Sequence, residues 1–214
     1  MPHNVANARK IIQRITKRRN VDCLLLWLAT NELESNLIKD LPFQFQDPFW
    51  AFVWPGSWAL HKFIQDNPKV VGKRTVLDFA SGCGLAAITA KQNNAATVLA
   101  NDIDPYSVLS VRMNAALNNV NIDTSTSDLI GREVTQDVIL AGDIFYEEAL
   151  GADVMKWLER EQQVGKRVLI GDPGRAALPL QNSRLQLKAS YDLPKWLQKS
   201  NHGYVEGKVY EIIG

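Results

Sequence analysis

Four short apolar runs, separated by segments with helical periodicity, constrain the fold of this chain more than any other feature. The runs are Thr75–Phe79, Thr97–Ala100, Asp137–Ala141 and Arg167–Ile170, and each has the length and composition of a buried strand. Strands that alternate with helices predict a parallel sheet covered by helices on both faces. A weak strand is predicted before Asp128, between the second and third of these runs, and two more are predicted at His202–Glu206 and Lys208–Ile213, joined near Gly207. We therefore expect a Rossmann-like α/β fold with a seven-stranded, mostly parallel sheet and an antiparallel C-terminal strand.

The N-terminal part of the chain has a different composition. Six basic residues and no acidic residue lie before Val21, namely Arg9, Lys10, Arg14, Lys17, Arg18 and Arg19. Apolar residues at helical spacing predict an amphipathic helix over residues 4–18, whose basic face is either solvated or a docking surface for an acidic protein. A second helix is predicted over Asp22–Ile38. We expect an N-terminal helical extension over residues 1–46 and one catalytic domain over residues 47–214.

The segment from Val76 to Ala87 has the pattern of a strand, a turn of small residues and a helix, which is typical of a cofactor-binding loop. Its glycines, Gly82 and Gly84, also fit a dinucleotide fingerprint, so a nicotinamide-dependent oxidoreductase is one alternative. Asp78 at the end of the strand would repel a pyrophosphate but attract the α-amino group of S-adenosylmethionine (SAM). We therefore predict SAM as the cofactor, held by Asp78 and by the loop residues Ala80, Ser81, Gly82 and Gly84.

The next two strands supply further acidic residues. Asp102 lies about 20 residues beyond the glycines and is placed to accept hydrogen bonds from both ribose hydroxyls. Ile103 beside it is included in the predicted cofactor site. Asp104 precedes Pro105 at the start of a helix, and we interpret it as a helix cap. Asp128 after the third strand either accepts from the adenine amino group or is a simple turn residue.

The fourth strand ends at Gly142 and Asp143, at the carboxyl edge of the sheet, where open α/β proteins place their chemistry. The carbonyl of Gly142 is available there as an acceptor. Phe145 and Tyr146 follow; they could line a channel for an acceptor, and core packing is the alternative for Phe145.

Several segments together resemble the seven-strand protein-lysine methyltransferases, also grouped as methyltransferase family 16, and among them the enzymes acting on the electron transfer flavoprotein beta subunit. The segments are Asp-Pro-Phe-Trp-Ala-Phe-Val-Trp-Pro-Gly at 47–56, the loop at 78–84, Asn-Asp-Ile-Asp-Pro at 101–105, Gly-Asp-Ile-Phe-Tyr at 142–146 and Leu-Ile-Gly-Asp-Pro-Gly-Arg at 169–175. The resemblance implies methyl transfer from SAM to lysine ε-amines of a protein substrate. It also implies catalytic roles for Asp143 and Tyr146, as the Asp-x-x-Tyr motif, and cofactor contact by Trp54.

The chain departs from this family at Ala80, where glycine is usual. If the position needs a positive φ, alanine costs about 1 kcal/mol and should weaken cofactor binding. Methylation of another protein, such as a ribosomal protein, or of a small molecule is the alternative activity, and a noncatalytic SAM-binding protein is a third. Arg175 could contact an acidic site on the partner protein.

Composition limits the partners and the compartment. The 24 Lys and Arg residues balance 23 Asp and Glu residues, and no apolar run is long enough to span a bilayer, so we expect neither nucleic acid nor membrane as a partner. Two cysteines provide neither a disulfide framework nor a metal-ligand spacing, which predicts a reducing compartment and no metal site. We expect a monomer in the cytoplasm, or in the mitochondrial matrix if the source is eukaryotic.

Overall fold

The computed structural model describes residues 5–29, 48–200 and 203–214. In chain order its elements are α1 (Val5–Ile15), β1 (Thr16–Val21), β2 (Leu24–Ala29), a 3₁₀ turn (Phe49–Ala51), α2 (Pro55–Asp66), a second 3₁₀ turn (Pro68–Val70), β3 (Thr75–Phe79), α3 (Leu85–Gln92), β4 (Thr97–Asn101), α4 (Pro105–Leu117), β5 (Asp123–Ser125), β6 (Val138–Gly142), α5 (Glu148–Gln163), β7 (Arg167–Asp172), β8 (Leu185–Asp192), α6 (Lys195–Ser200) and β9 (Glu206–Ile212). None of these helices is long and apolar enough to cross a membrane.

Strands β3 to β9 form one seven-stranded sheet in the order β5-β4-β3-β6-β7-β9-β8. Its first five strands are parallel, and β9 is antiparallel to both of its neighbours. The four predicted central strands coincide with β3, β4, β6 and β7 to within two residues. The predicted fold class is therefore confirmed.

Successive side chains along each strand point to opposite faces of the sheet, and helices cover both faces, so both are buried. On β3, Val76 belongs to the cluster that packs under α2 and α3, whereas its neighbour Leu77 belongs to the cluster under α5. On β6, Leu140 belongs to the first of these clusters and Ile139 to the second. Helices on both faces leave the carboxyl ends of β3, β4 and β6 at one edge, where the predicted site residues lie.

The predicted pair of strands on either side of Gly207 is wrong. Gly207 lies inside β9, whose antiparallel neighbours are β7 and β8, and the predicted His202 lies outside the described residues. The glycine is needed for close packing, since a Cβ at this position would overlap the carbonyl oxygen of Pro55 at the start of α2. Strand β8 is an edge strand with mostly exposed side chains, so its sequence lacks an apolar run.

The helix predicted over Asp22–Ile38 is also wrong in its described part. Helix α1 ends at Ile15, earlier than predicted, and residues 16–29 form an antiparallel hairpin whose turn contains Asp22. Residues 30–38 lie outside the described part of the chain. A short apolar run such as Leu24–Leu28 fits a buried strand as well as a buried helix, so periodicity alone could not decide between them.

Candidate active site

The N-terminus of helix α2 lies against the carboxyl end of β7 through a contact between two glycines. A Cβ on Gly56 would overlap the carbonyl oxygen of Gly171 in β7, and a Cβ on Gly171 would overlap that of Gly56. Side chains larger than hydrogen would separate the helix from the strand. The two glycines therefore bring the N-terminus of α2 next to the end of β6.

Asp143 caps this helix from the neighbouring strand. Its Oδ1 accepts from Gly56 N at 3.0 Å and its Oδ2 accepts from Ser57 N at 2.7 Å, so the carboxylate satisfies two of the free N–H groups at the start of α2. The Asp143 side chain is 8% exposed. Burial raises its pKa, although the nearby Arg175 guanidinium and the Gly56 amide act in the opposite direction.

Arg175 links Asp143 to a second carboxylate. Its Nη1 donates to Asp143 Oδ1 at 2.7 Å and to Asp172 Oδ2 at 3.1 Å. Asp172 is fully buried, and its Oδ1 accepts from the backbone N–H groups of Gly174 and Arg175. The guanidinium also lies 5.8 Å from the ring centre of Tyr204. Arg175, whose side chain is 14% exposed, is thus a structural partner of the site within the chain. Its contact with a partner protein stays a prediction.

The predicted cofactor loop joins β3 to α3 and contains three residues with positive φ. These are Ala80 at 55°, Gly82 at 53° and Gly84 at 81°. The alanine that departs from the family pattern therefore does adopt the left-handed conformation that favours glycine. The turn is closed by a hydrogen bond from Gly84 N to Ser81 O at 2.8 Å.

Asp78 lies beneath this loop and is 3% exposed. Its Oδ2 accepts from Ala87 N at 2.9 Å, in the first turn of α3. Burial raises the pKa of Asp78 to about 8, and the negative charge of Asp102 adds to this effect, while the hydrogen bond from Ala87 opposes it. A cation bound beside Asp78 would stabilise its ionised form.

Asp102, at the end of β4, contacts the loop directly. Its Oδ2 accepts from Gly82 N and its Oδ1 accepts from Asp104 N, both at 3.0 Å. Asp104 in turn accepts from Tyr106 N at 2.7 Å, which confirms that it caps α4. The acid predicted for the ribose and the glycine predicted for the loop are therefore adjacent.

Two other predicted cofactor residues lie on the outer side of the same edge. Ile103 is 71% exposed and projects beside Asp102. Asp128 is exposed and accepts from Ile130 N at 3.1 Å, two residues further on, as a turn aspartate does.

Aromatic residues follow Asp143 in the chain and precede the helix that it caps. Tyr146 is 66% exposed, and its pKa is raised by partial burial and by the negative charges of Glu147 and Asp102. Trp54 directly precedes α2, and its Nε1 donates to Phe49 O at 2.9 Å. The exposed Phe49 ring lies 6.2 Å from the Trp54 ring. Phe145 is completely buried in the core, so the packing interpretation of that residue is the correct one.

Known proteins resemble this chain over most of its length. A family model described as ribosomal protein L11 methyltransferase (PrmA) matches residues 60–147. The electron transfer flavoprotein beta subunit lysine methyltransferase of Danio rerio is 36% identical over 211 residues, which cover 96% of this chain and 78% of that protein. The protein of the same name from Rattus norvegicus is 40% identical over 174 residues, or 78% of this chain and 68% of that protein. This chain belongs to the family of electron transfer flavoprotein beta subunit lysine methyltransferases.

The fold of this lysine methyltransferase family member is also found among solved structures. The tRNA (uracil-54, C5)-methyltransferase of Pyrococcus abyssi, solved in complex with S-adenosyl-L-homocysteine, superposes with a TM-score of 0.59. The superposition covers 93% of this chain and 44% of that one at 15% sequence identity. At this identity the likeness concerns the fold alone.

Sequence reasoning missed several residues that shape the site of this lysine methyltransferase. The backbone amides of Gly56 and Ser57 hold Asp143, and Ser107 Oγ donates to Gly82 O at 2.8 Å. Asn101 Nδ2 donates to Ser127 O at 2.9 Å and so fixes the segment after β5. The only sequence signal for these residues was their position at strand ends and helix starts, because their partners are distant in the chain.

Proposed function

We propose that this chain transfers methyl groups from S-adenosylmethionine to lysine ε-amines of the electron transfer flavoprotein beta subunit. The observation that carries the proposal is the 36% identity to the Danio rerio enzyme of that name over 96% of this chain. The chain is accordingly a SAM-dependent protein-lysine methyltransferase. The proposal includes the division into an N-terminal extension over residues 1–46 and a methyltransferase domain over residues 47–214.

The cofactor loop fits SAM in two respects. The Ser81 hydroxyl is buried and has no hydrogen-bond partner within the described chain, so it can serve a polar ligand. A Cβ on Gly82 would meet no atom within 4 Å, so the loop has open space on that side. Ala80 and Gly84 shape the same turn. These features support a polar ligand on the loop.

In our proposal each acidic residue binds a different part of the cofactor. Asp78 faces the α-amino group, Asp102 accepts from the ribose hydroxyls, and Asp128 lies with Ile103 near the adenine. The direct contact of Asp102 with Gly82 supports its part, because both then face the same ligand. Trp54 and Gly142 would enclose the other end.

The methyl group is supplied as part of a sulfonium ion, so transfer forms an N–C bond and breaks an S–C bond. The lysine must first release a proton, which for a pKa near 10.4 costs about 4.6 kcal/mol at pH 7. Removal of water around the ammonium lowers that cost. In our proposal the neighbouring rings of Phe49 and Trp54, together with Tyr146, form an apolar mouth that does so.

Asp143 would orient the amine, and Tyr146 would form the wall of the channel. A carboxylate offers about four acceptor positions, and Gly56, Ser57 and Arg175 use three of them. The remaining position is proposed to accept from the amine. Fixed geometry, rather than strong basicity, is then the contribution of Asp143 to the rate.

The test is mass spectrometry of purified electron transfer flavoprotein after incubation with this enzyme and SAM. Methylated lysines in the beta subunit are expected, and Tyr146→Ala should slow their formation. Val164→Ala is the matched control, since Val164 is equally exposed at 66% but follows α5 at the opposite edge of the sheet. An unmodified beta subunit would refute the assigned substrate.

Ribosomal protein L11 is the second candidate substrate, because the matching family model carries that name. It should be offered to the enzyme in parallel under the same conditions. Methylation of L11 alone would select this candidate. If neither protein is modified while SAM is consumed in a metabolite extract, a small-molecule acceptor replaces both.

We further propose a monomer that acts in the cytoplasm, or in the mitochondrial matrix of a eukaryote, without nucleic acid or membrane as partner. The formal net charge of +1 supports the absence of a general attraction to polyanions. Cys23 and Cys83 are both free thiols, which suits a reducing compartment.

A further inference from the structure

Two asparagines, Asn114 in α4 and Asn118 at its C-cap, hold the free edge of β2. Asn118 Oδ1 accepts from Leu25 N at 3.0 Å, and its Nδ2 donates to Leu25 O at 2.7 Å. One helical turn earlier, Asn114 Oδ1 accepts from Trp27 N at 2.7 Å. Side-chain amides thus take the place that a third strand would have beside β2.

Only Asn114 also reaches the cofactor loop. It is fully buried, and its Nδ2 donates to Cys83 O at 2.8 Å. The Cys83 carbonyl shares a peptide plane with Gly84 N, which donates to Ser81 O on the other side. Asn114 and Ser81 therefore hold the two ends of one peptide plane, between the two glycines of the loop.

The apolar side of the hairpin packs at the same place. Leu24, Leu26 and Leu28 share one core cluster with Cys83 and with Leu85, the first residue of α3. The hairpin consequently packs against the loop and the start of α3. A change in how β2 is docked would reach the loop both through this cluster and through Asn114.

We propose that Asn114 is a positioning residue that couples docking of the N-terminal hairpin to SAM binding. It fixes the Cys83–Gly84 peptide in the orientation that the loop needs, and it does so from a side chain that also holds Trp27. The inference rests on the proposed binding of SAM at this loop. By linkage, a docked hairpin strengthens SAM binding and bound SAM stabilises the docked hairpin to the same extent.

The test compares Asn114→Leu with the matched control Asn118→Leu. Each variant leaves backbone groups of β2 without their side-chain partner, so both should unfold more easily, but only the first releases the Cys83 carbonyl. If the freed peptide is correctly oriented in about a tenth of the molecules, the Kd for SAM rises about tenfold. We expect that rise in calorimetric titration of Asn114→Leu, and a Kd within about twofold of the wild type for Asn118→Leu.

Hydrogen exchange in the wild type gives a second measurement that needs no variant. SAM should slow exchange of the Trp27 amide in β2 more than exchange of the amides in β8, which does not contact the loop. Equal Kd values for the wild type and Asn114→Leu, or exchange at Trp27 slowed no more than in β8, would overturn the coupling. A wild type that binds no SAM would refute the proposed function as well, and a wild type that binds SAM but methylates no protein would refute the proposed function alone.

Discussion

Replacement of Gly171 by alanine tests whether the contact between α2 and β7 sets the position of Asp143. An added Cβ would overlap the carbonyl oxygen of Gly56 and lie 2.7 Å from Gly56 C and 2.8 Å from Leu60 Cγ. Ordinary contacts of a Cβ begin at 3.4 Å. Because the obstructing atoms are largely backbone, α2 must move away from the sheet by roughly 1 Å.

The energetic effect combines two contributions. Overpacking of a dense core costs about 1–3 kcal/mol, and loss of a hydrogen bond to a charged group costs about 1.5–3 kcal/mol. Movement of α2 stretches the bonds from Gly56 N and Ser57 N to Asp143, which are now 3.0 and 2.7 Å. Loss of one of these bonds together with the overpacking lowers the free energy of unfolding by about 2.5–6 kcal/mol. For a chain of this size the melting temperature should fall by about 5–24 °C.

Urea unfolding and steady-state kinetics of Gly171→Ala are the assays. We expect kcat to fall more than the affinity for SAM, because the displaced groups hold Asp143 rather than the cofactor loop. Gly72→Ala is the control: its Cβ would lie 3.2 Å from Pro68 O, so a shift of a few tenths of an ångström suffices and stability should change by less than about 1 kcal/mol. If the free energy of unfolding of Gly171→Ala lies within about 0.5 kcal/mol of the wild-type value, the close contact does not constrain α2.

Three further predictions concern the carboxylates and the loop. Asp143→Asn should lower both kcat and the free energy of unfolding, the latter by about 2 kcal/mol in urea, since one amide oxygen cannot accept from all three donors; wild-type values of both would contradict its role. Ala80→Gly should raise the free energy of unfolding by about 0.5 kcal/mol by relieving the positive φ, and the more exposed Lys73→Gly, at a φ of 61°, is the control for that relief. Because the pKa of Asp78 in the folded protein, about 8, lies above its ordinary value, protonation favours the folded state, and this contribution to stability is lost as pH rises from about 4 to about 8. Urea unfolding of wild type and Asp78→Asn across that range should show a smaller decrease in the variant, and parallel curves would contradict the raised pKa.

The residues of this sequence that carry its chemistry are concentrated at strand ends, and that much could be predicted. Glycines after a buried strand, and acidic residues after β3, β4 and β6, needed only the rule that parallel strands present their carboxyl ends at one edge. Asp78, Asp102 and Asp143 lie at that edge. The cap formed by Asp104 followed from its place before Pro105, because capping is local in the chain.

The contacts of Asp143 could not be predicted in this way. Its partners Gly56 and Ser57 are 87 and 86 residues away in the chain, and Arg175 is 32 residues away. No local pattern distinguishes a carboxylate that will cap a distant helix from one that faces only a ligand.

The sequence by itself determined the parallel sheet and the edge at which its acidic residues meet, because periodicity and turn residues act between neighbours in the chain. Only the tertiary structure decided that Leu24–Ala29 is a strand, since its edge is held by Asn114 and Asn118. It also decided that Gly207 lies within a strand, since the start of α2 packs against it. In both cases the residues that contact the strand lie far away in the sequence. They come close to it only when the sheet and helices have packed.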